Sequence, residues 1–227
     1  MKVGALFSGG KDSTYAIYKA MKENEIVCLI AMKSLNPESY MFHVPAFEHI
    51  EKQAEALGIP LILVETKGVK EEELKDLQKA IEEAKKKYAI EGIVTGAVAS
   101  TYQASRIQKI CDDLGLKAIN PLWNINQMQL LKDLIKDKFE VIITGIAAYP
   151  LDESWLGRKL DEDTLKEMEK LEKEFKINVA GEGGEFETLV VDSPIHKKKI
   201  ELIETEKEYS EHHGTLKILK MELVLKQ

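Results

Sequence analysis

The stretch Val3-Gly4-Ala5-Leu6-Phe7-Ser8-Gly9-Gly10-Lys11-Asp12-Ser13 decides how this chain folds. Residues 3–7 form a short apolar run, residues 8–13 a serine–glycine turn, and residues 14–24 an amphipathic segment. Strand, turn and helix in that order aim backbone N–H groups and the positive end of a helix at one anion. Gly9 and Gly10 let the backbone come close to it, because no Cβ intervenes. Ser8 and Ser13 add hydroxyl donors and Lys11 adds a mobile positive charge. Asp12 can cap the helix or help hold Mg2+ beside phosphates. The spacing matches neither the Walker loop G-x-x-x-x-G-K-[ST] nor the dinucleotide fingerprint G-x-G-x-x-G.

Outward from this segment, the first half of the chain alternates strand and helix signals. Strands are expected at residues 3–7, 26–32, 61–65, 92–95 and 117–119. Apolar periodicity predicts helices between them. The helix over 46–57 would carry Phe47, Ile50, Ala54 and Leu57, and the one over 71–88 Leu74, Leu77, Ile81 and Ala84. A third, over 102–114, would carry Ile107, Ile110, Cys111 and Leu114. Gly58 and Gly115 stop the first and the third. The fold class expected is therefore α/β, a doubly wound, mainly parallel sheet with helices on both faces. Ligands in such sheets bind beyond the carboxyl ends of the strands. Met32 and Gly96, at two other strand ends, become candidates to flank whatever the turn holds.

The pattern changes after Pro121-Leu122-Trp123. Asn126 can cap a helix over 127–137, residues 141–146 read as a buried strand, and 161–175 as a charged helix. Strands are expected at 186–191, 200–204 and 216–225, the last with Leu216, Ile218, Met221, Leu223 and Leu225 in the core. The expected division is a domain over 1–123 and a smaller α+β domain over 124–227.

Composition narrows the class. The chain has 227 residues, 44% of them hydrophobic, and no run approaches the roughly 20 apolar residues of a membrane span. The first strand begins at once, so no signal peptide is expected, and a cytoplasmic location is. Cys28 and Cys111 lie in separate apolar segments and read as reduced core thiols. Charged residues make up 31% of the chain, dominated by Lys and Glu, which leans towards a thermophile. With a net charge of −7 and only short basic runs, at 85–87 and 197–199, nucleic acid is not the expected partner. Arg106 and Arg158 are the two arginines among 32 basic residues, which makes both candidates for bidentate anion recognition.

Two further constellations carry chemistry. Ser100-Thr101-Tyr102-Gln103-Ala104-Ser105-Arg106 follows a strand end and opens a helix, where Tyr102, Gln103 and Arg106 can point at one group. Gly181-Glu182-Gly183-Gly184-Glu185-Phe186-Glu187-Thr188 sets three carboxylates on a glycine-rich turn that leads into a strand. Such glycines serve a tight hairpin or a close approach of something to the backbone.

The Ser-Gly-Gly-Lys-Asp-Ser turn resembles the PP-loop of the N-type ATP pyrophosphatases. Together with Ser100–Gln103, Arg106, 121–123 and the Glu182–Thr188 run, in this order, it makes nearly the whole chain similar to the archaeal-type diphthine–ammonia ligases. Ala180 departs from the Cys expected in many relatives, which argues against a catalytic thiol there. The resemblance implies an adenine nucleotide alpha hydrolase-like first domain. It also implies a reaction in which ATP, ammonium and the diphthine of translation elongation factor 2 give diphthamide, AMP and pyrophosphate. Lys11, Arg106 and Glu185 would then be catalytic. Ser8, Gly9, Gly10, Lys11, Asp12, Ser13, Met32 and Gly96 would bind ATP, with Asp12 at Mg2+. Tyr102, Gln103, Glu182, Gly183, Gly184, Glu185, Phe186 and Glu187 would hold the substrate. Carboxylates and aromatic faces both suit the trimethylammonium of diphthine. Two rivals remain open: a tRNA-modifying PP-loop enzyme and an ATP-binding sensor without turnover. A homo-oligomer is left open too.

Overall fold

Five parallel strands carry the first half of the chain: β1 (Lys2–Leu6), β2 (Glu25–Ser34), β3 (Leu61–Thr66), β4 (Gly92–Val94) and β5 (Lys117–Ile119). Their order across the sheet is β3-β2-β1-β4-β5. The helices between them are α1 (Lys11–Ala20), α2 (Ile50–Leu57), α3 (Glu72–Tyr88) and α4 (Thr101–Leu114). The computed structural model describes residues 1–34, 49–69 and 71–226. Phe47, expected on the α2 face, lies outside the described residues.

The hydrophobic core explains why β2 reads as a continuous apolar run. Cys28, Ile30 and Met32 pack in one cluster with Leu77, Ala80, Ile81 and Ala84 of α3 and Ile107, Ile110 and Cys111 of α4. The intervening Leu29 and Ala31 are buried as well. Burial on both faces is what a parallel sheet covered by helices produces. Gly58 and Gly115 end α2 and α4 in left-handed conformations, with their N–H groups turned back to carbonyls of the last turn. Cys28 and Cys111 are free and buried, and burial pushes their thiols up to about 12 and about 11.

The strand order reverses between β1 and β4, which neighbour one another at the centre of the sheet. Chain leaving their carboxyl ends diverges, and a crevice opens there in doubly wound sheets. Ser8 follows β1 and Gly96 follows β4.

Contacts group the chain into two units, Met1–Ser8 with Asp12–Trp123, and Gly9–Lys11 with Asn124–Gln227. The second holds an antiparallel sheet of β6 (Glu140–Ile146), β7 (Phe186–Asp192), β8 (Lys198–Ser210) and β9 (His213–Leu225), in the order β7-β6-β9-β8. Its helices are α5 (Gln127–Lys136) and α6 (Glu162–Phe175). Asn126 caps α5 by accepting from the Gln129 N–H, and Asp161 caps α6 by accepting from that of Thr164.

The last two strands depart from the sequence reading. They are 13 residues each and form one long hairpin, not short strands at 200–204 and 216–225. The pairing slips twice, around Leu202–Glu204 and Glu204–Thr205. Each slip reverses which side of the ribbon a residue faces. Leu216, Ile218 and Met221 are therefore buried while Ile203 and Leu219 face solvent. Leu225, expected in the core, is 81% exposed in the terminal rung, opposite Lys198.

Candidate active site

The turn after β1 brings the hydroxyls of Ser8 and Ser13 to 3.1 Å, and the Ser8 N–H donates to Ser13 Oγ at 3.3 Å. Asp12 and Ser13 stand in the first turn of α1, where the helix dipole favours an anion. Gly96 sets this turn in place. A Cβ on Gly96 would fall 2.7 Å from the Ser13 nitrogen and 2.8 Å from the Asp12 carbonyl carbon. The space that glycine leaves is thus filled by the backbone of α1. Met32 is only 5% exposed and its side chain belongs to the α3–α4 core.

Gly9 to Lys11 lie along β7, the edge strand of the second sheet. Gly9 accepts from the Val190 N–H at 3.0 Å, and the Lys11 N–H donates to Thr188 Oγ1 at 3.1 Å. One backbone donor of the turn is thereby used within the fold. The Lys11 side chain is 4% exposed, with Nζ 5.5 Å from the centre of the Phe186 ring. Phe186, at 4% exposure, is a packing residue beneath that lysine.

At the start of α4, Ser100 accepts from the Gln103 N–H and caps the helix. Tyr102 and Arg106 share a face, with the guanidinium 3.5 Å from the Tyr102 ring centre. Both groups bond Glu71, at the entry to α3. Arg106 Nε and Nη2 donate to Glu71 Oε1 at 3.1 and 2.7 Å, and the Tyr102 hydroxyl donates to the same oxygen at 3.1 Å. These bonds hold the Arg106 pKa above its ordinary value. Burial and the Glu71 bond raise that of Tyr102. Arg158, the other arginine, bonds Glu167 and stacks on Trp155, so it ties a loop to α6.

The Gly181–Thr188 run is a tight turn whose glutamates divide by role. The Gly184 N–H closes it onto the Gly181 carbonyl at 3.0 Å. Glu185 turns inward, accepting from the N–H groups of Gly183 at 2.9 Å and Asn178 at 3.4 Å. Glu182 is half-buried, and its N–H donates to Asn178 Oδ1. Glu187 lies in β7, half-buried, and desolvation pushes its carboxyl up to about 7.

Three residues of these clusters escaped the sequence reading. Thr188 belonged to the quoted run but carried no assigned role. Asn178 accepts from the N–H groups of Ala180 and Glu182, the kind of bond to backbone two residues on that makes asparagine a turn former. Nothing local marks Glu71, which meets Arg106 across 35 residues of sequence.

The chain matches two family models, that of the diphthamide synthase N-terminal domain over residues 1–118 and that of its C-terminal domain over 126–224. Proteins named diphthine–ammonia ligase are similar along most of the chain. The one from Rattus norvegicus is 35% identical, covering 88% of this chain and 82% of that protein. The one from Homo sapiens is 33% identical with the same coverage. In Schizosaccharomyces pombe the relative is 34% identical over all of this chain and 40% of its own length. A predicted subunit of tRNA methyltransferase from Methanocaldococcus jannaschii superposes with a TM-score of 0.43 at 18% identity, covering 86% of this chain and 98% of its own.

Proposed function

This chain belongs to the diphthamide synthase family, and we propose that it is a diphthine–ammonia ligase. It would amidate the diphthine side chain of translation elongation factor 2, consuming ATP and ammonium and releasing AMP and pyrophosphate. The observation that carries this reading is the turn after β1. It joins paired serine hydroxyls and a buried lysine at a helix start, and sits where the strand order reverses.

A carboxylate is a poor acyl donor because its oxygen leaves badly. In the proposed first step the diphthine carboxylate attacks the α-phosphorus of ATP, forming an acyl-adenylate and releasing pyrophosphate. Charge grows on that pyrophosphate in the transition state. The Ser8 and Ser13 hydroxyls and the Lys11 ammonium would meet it there, preorganised. In the second step ammonia attacks the carbonyl carbon and AMP leaves. Ammonium must first give up a proton. Glu187, poised near 7, suits that task better than Glu185, which is tied to its own turn.

Mg2+ is the counterion such chemistry uses. Asp12 and the two serine hydroxyls offer hard oxygens, and the described residues contain no metal-binding group of three or more His, Cys, Asp or Glu. One protein carboxylate, with phosphates completing the shell, is a usual arrangement for Mg2+. The ion would supply charge neutralisation to the phosphates.

Glu182 is the proposed contact for the trimethylammonium group. Phe186 is buried and the Tyr102 face is covered by Arg106, which leaves the half-buried carboxylate at the turn. The proposal is tested by incubating the protein with ATP, ammonium and diphthine-bearing elongation factor 2. AMP together with the mass change of an amide on the factor supports it. ATP left intact would revive the sensor, and turnover that requires RNA would favour the tRNA-modifying rival.

A further inference from the structure

Three donors on one face converge on a single carboxylate oxygen that the chain itself supplies. Arg106 Nε and Nη2 and the Tyr102 hydroxyl all bond Glu71 Oε1, at 3.1, 2.7 and 3.1 Å. The guanidinium lies 3.5 Å from the Tyr102 ring centre, so its plane is set before any ligand arrives. Glu71 reaches this spot from a backbone at φ 68°, a left-handed conformation that non-glycine residues rarely adopt. Both side chains remain open to solvent, Arg106 at 31% and Glu71 at 56%. An ion pair that exposed is weak and exchanges readily with an incoming anion.

We propose that Arg106 and Tyr102 form a receptor for a substrate oxyanion and that Glu71 is its internal occupant, lowering the receptor's affinity by competition. The ligand class is a carboxylate or a phosphate oxygen. This deepens the function proposed above and takes its two candidate ligands from it, the substrate carboxylate and ATP. A receptor blocked part of the time binds more weakly in proportion to its open fraction. For an exposed pair, removing the occupant should tighten binding by about two- to five-fold.

The alternative role for Glu71, holding Arg106 in position, predicts the opposite sign. In the full chain, Glu71→Gln is compared with wild type in two arms: the Kd for ATP with Mg2+, and the KM for diphthine-bearing elongation factor 2 at saturating ATP. A two- to five-fold tightening for ATP assigns the receptor to a phosphate, and for the factor to the carboxylate. The gain should vanish when Glu71→Gln is placed in an Arg106→Gln background. Unchanged or weaker binding in both arms overturns the proposal, as does a gain that survives Arg106→Gln. Should the wild type amidate nothing, the proposed function falls by itself. The ATP arm then decides alone, with unchanged or weaker binding overturning the receptor.

Discussion

Lys11 opens α1 with its side chain only 4% exposed to solvent. In the proposed reaction its ammonium meets the departing pyrophosphate. Replacing Lys11 with Ala should lower the rate of AMP formation by roughly 100-fold or more, the usual scale for a lost transition-state donor. Near-wild-type AMP formation would remove Lys11 from the mechanism. Glu187 should show itself through pH: if it takes the ammonium proton, the rate rises through about pH 7 and Glu187→Gln flattens that limb. A limb that persists in the variant belongs to another group. Gly96 acts at this scale by what it lacks. Gly96→Ala pushes a Cβ into the α1 backbone, and overpacking of this kind costs about 1–3 kcal/mol. Its urea midpoint should fall and its ATP affinity should weaken. Unchanged affinity would mean that the turn does not depend on that contact.

Among the elements, those set by local spacing were readable, and those set by pairing with a distant strand were readable only in part. The α3 stripe, the glycine stops of α2 and α4, and the Asn126 cap all stand where the residue pattern places them. Each depends only on local spacing. The β8–β9 hairpin was legible in part: Leu216, Ile218 and Met221 are buried as expected, while the 13-residue length of each strand and the exposure of Leu225 follow from how the two strands pair. The site divides the same way. The serine–glycine turn and the glutamate run were visible as local strings. The Glu71 contact and the use of the Gly96 space depend on chain that is distant in sequence. Gly181 is the element-scale test, since its φ is 74° and a Cβ there would lie 2.8 Å from the Phe186 carbonyl oxygen. Gly181→Ala should destabilise the protein by about 2 kcal/mol or more in urea titration. A neutral result would show that the turn relaxes freely.

For the molecule as a whole, two desolvated groups of the second unit set opposing pH dependences. Desolvation lowers His196, bonded to Ser193 Oγ, from 6.5 to about 4. The unfolded chain then binds more protons between those values, so this contribution to stability is lost as pH falls from about 6.5 to 4, by about 3 kcal/mol. Glu187 is raised from 4.5 to about 7, so stability falls there as pH rises through that window. The two slopes offset one another between about pH 4.5 and 6.5. Glu187→Gln should uncover the histidine slope, with the urea midpoint rising more steeply over that range than in wild type. Parallel profiles would contradict the burial read from the structure. The central claim, that AMP becomes joined to the diphthine carboxyl before ammonia attacks, has a more direct test. Diphthine-bearing elongation factor 2 labelled with heavy oxygen in that carboxylate is converted, and the released AMP is weighed. We predict that one labelled oxygen appears in the AMP phosphate. Unlabelled AMP, or ADP in its place, would contradict it.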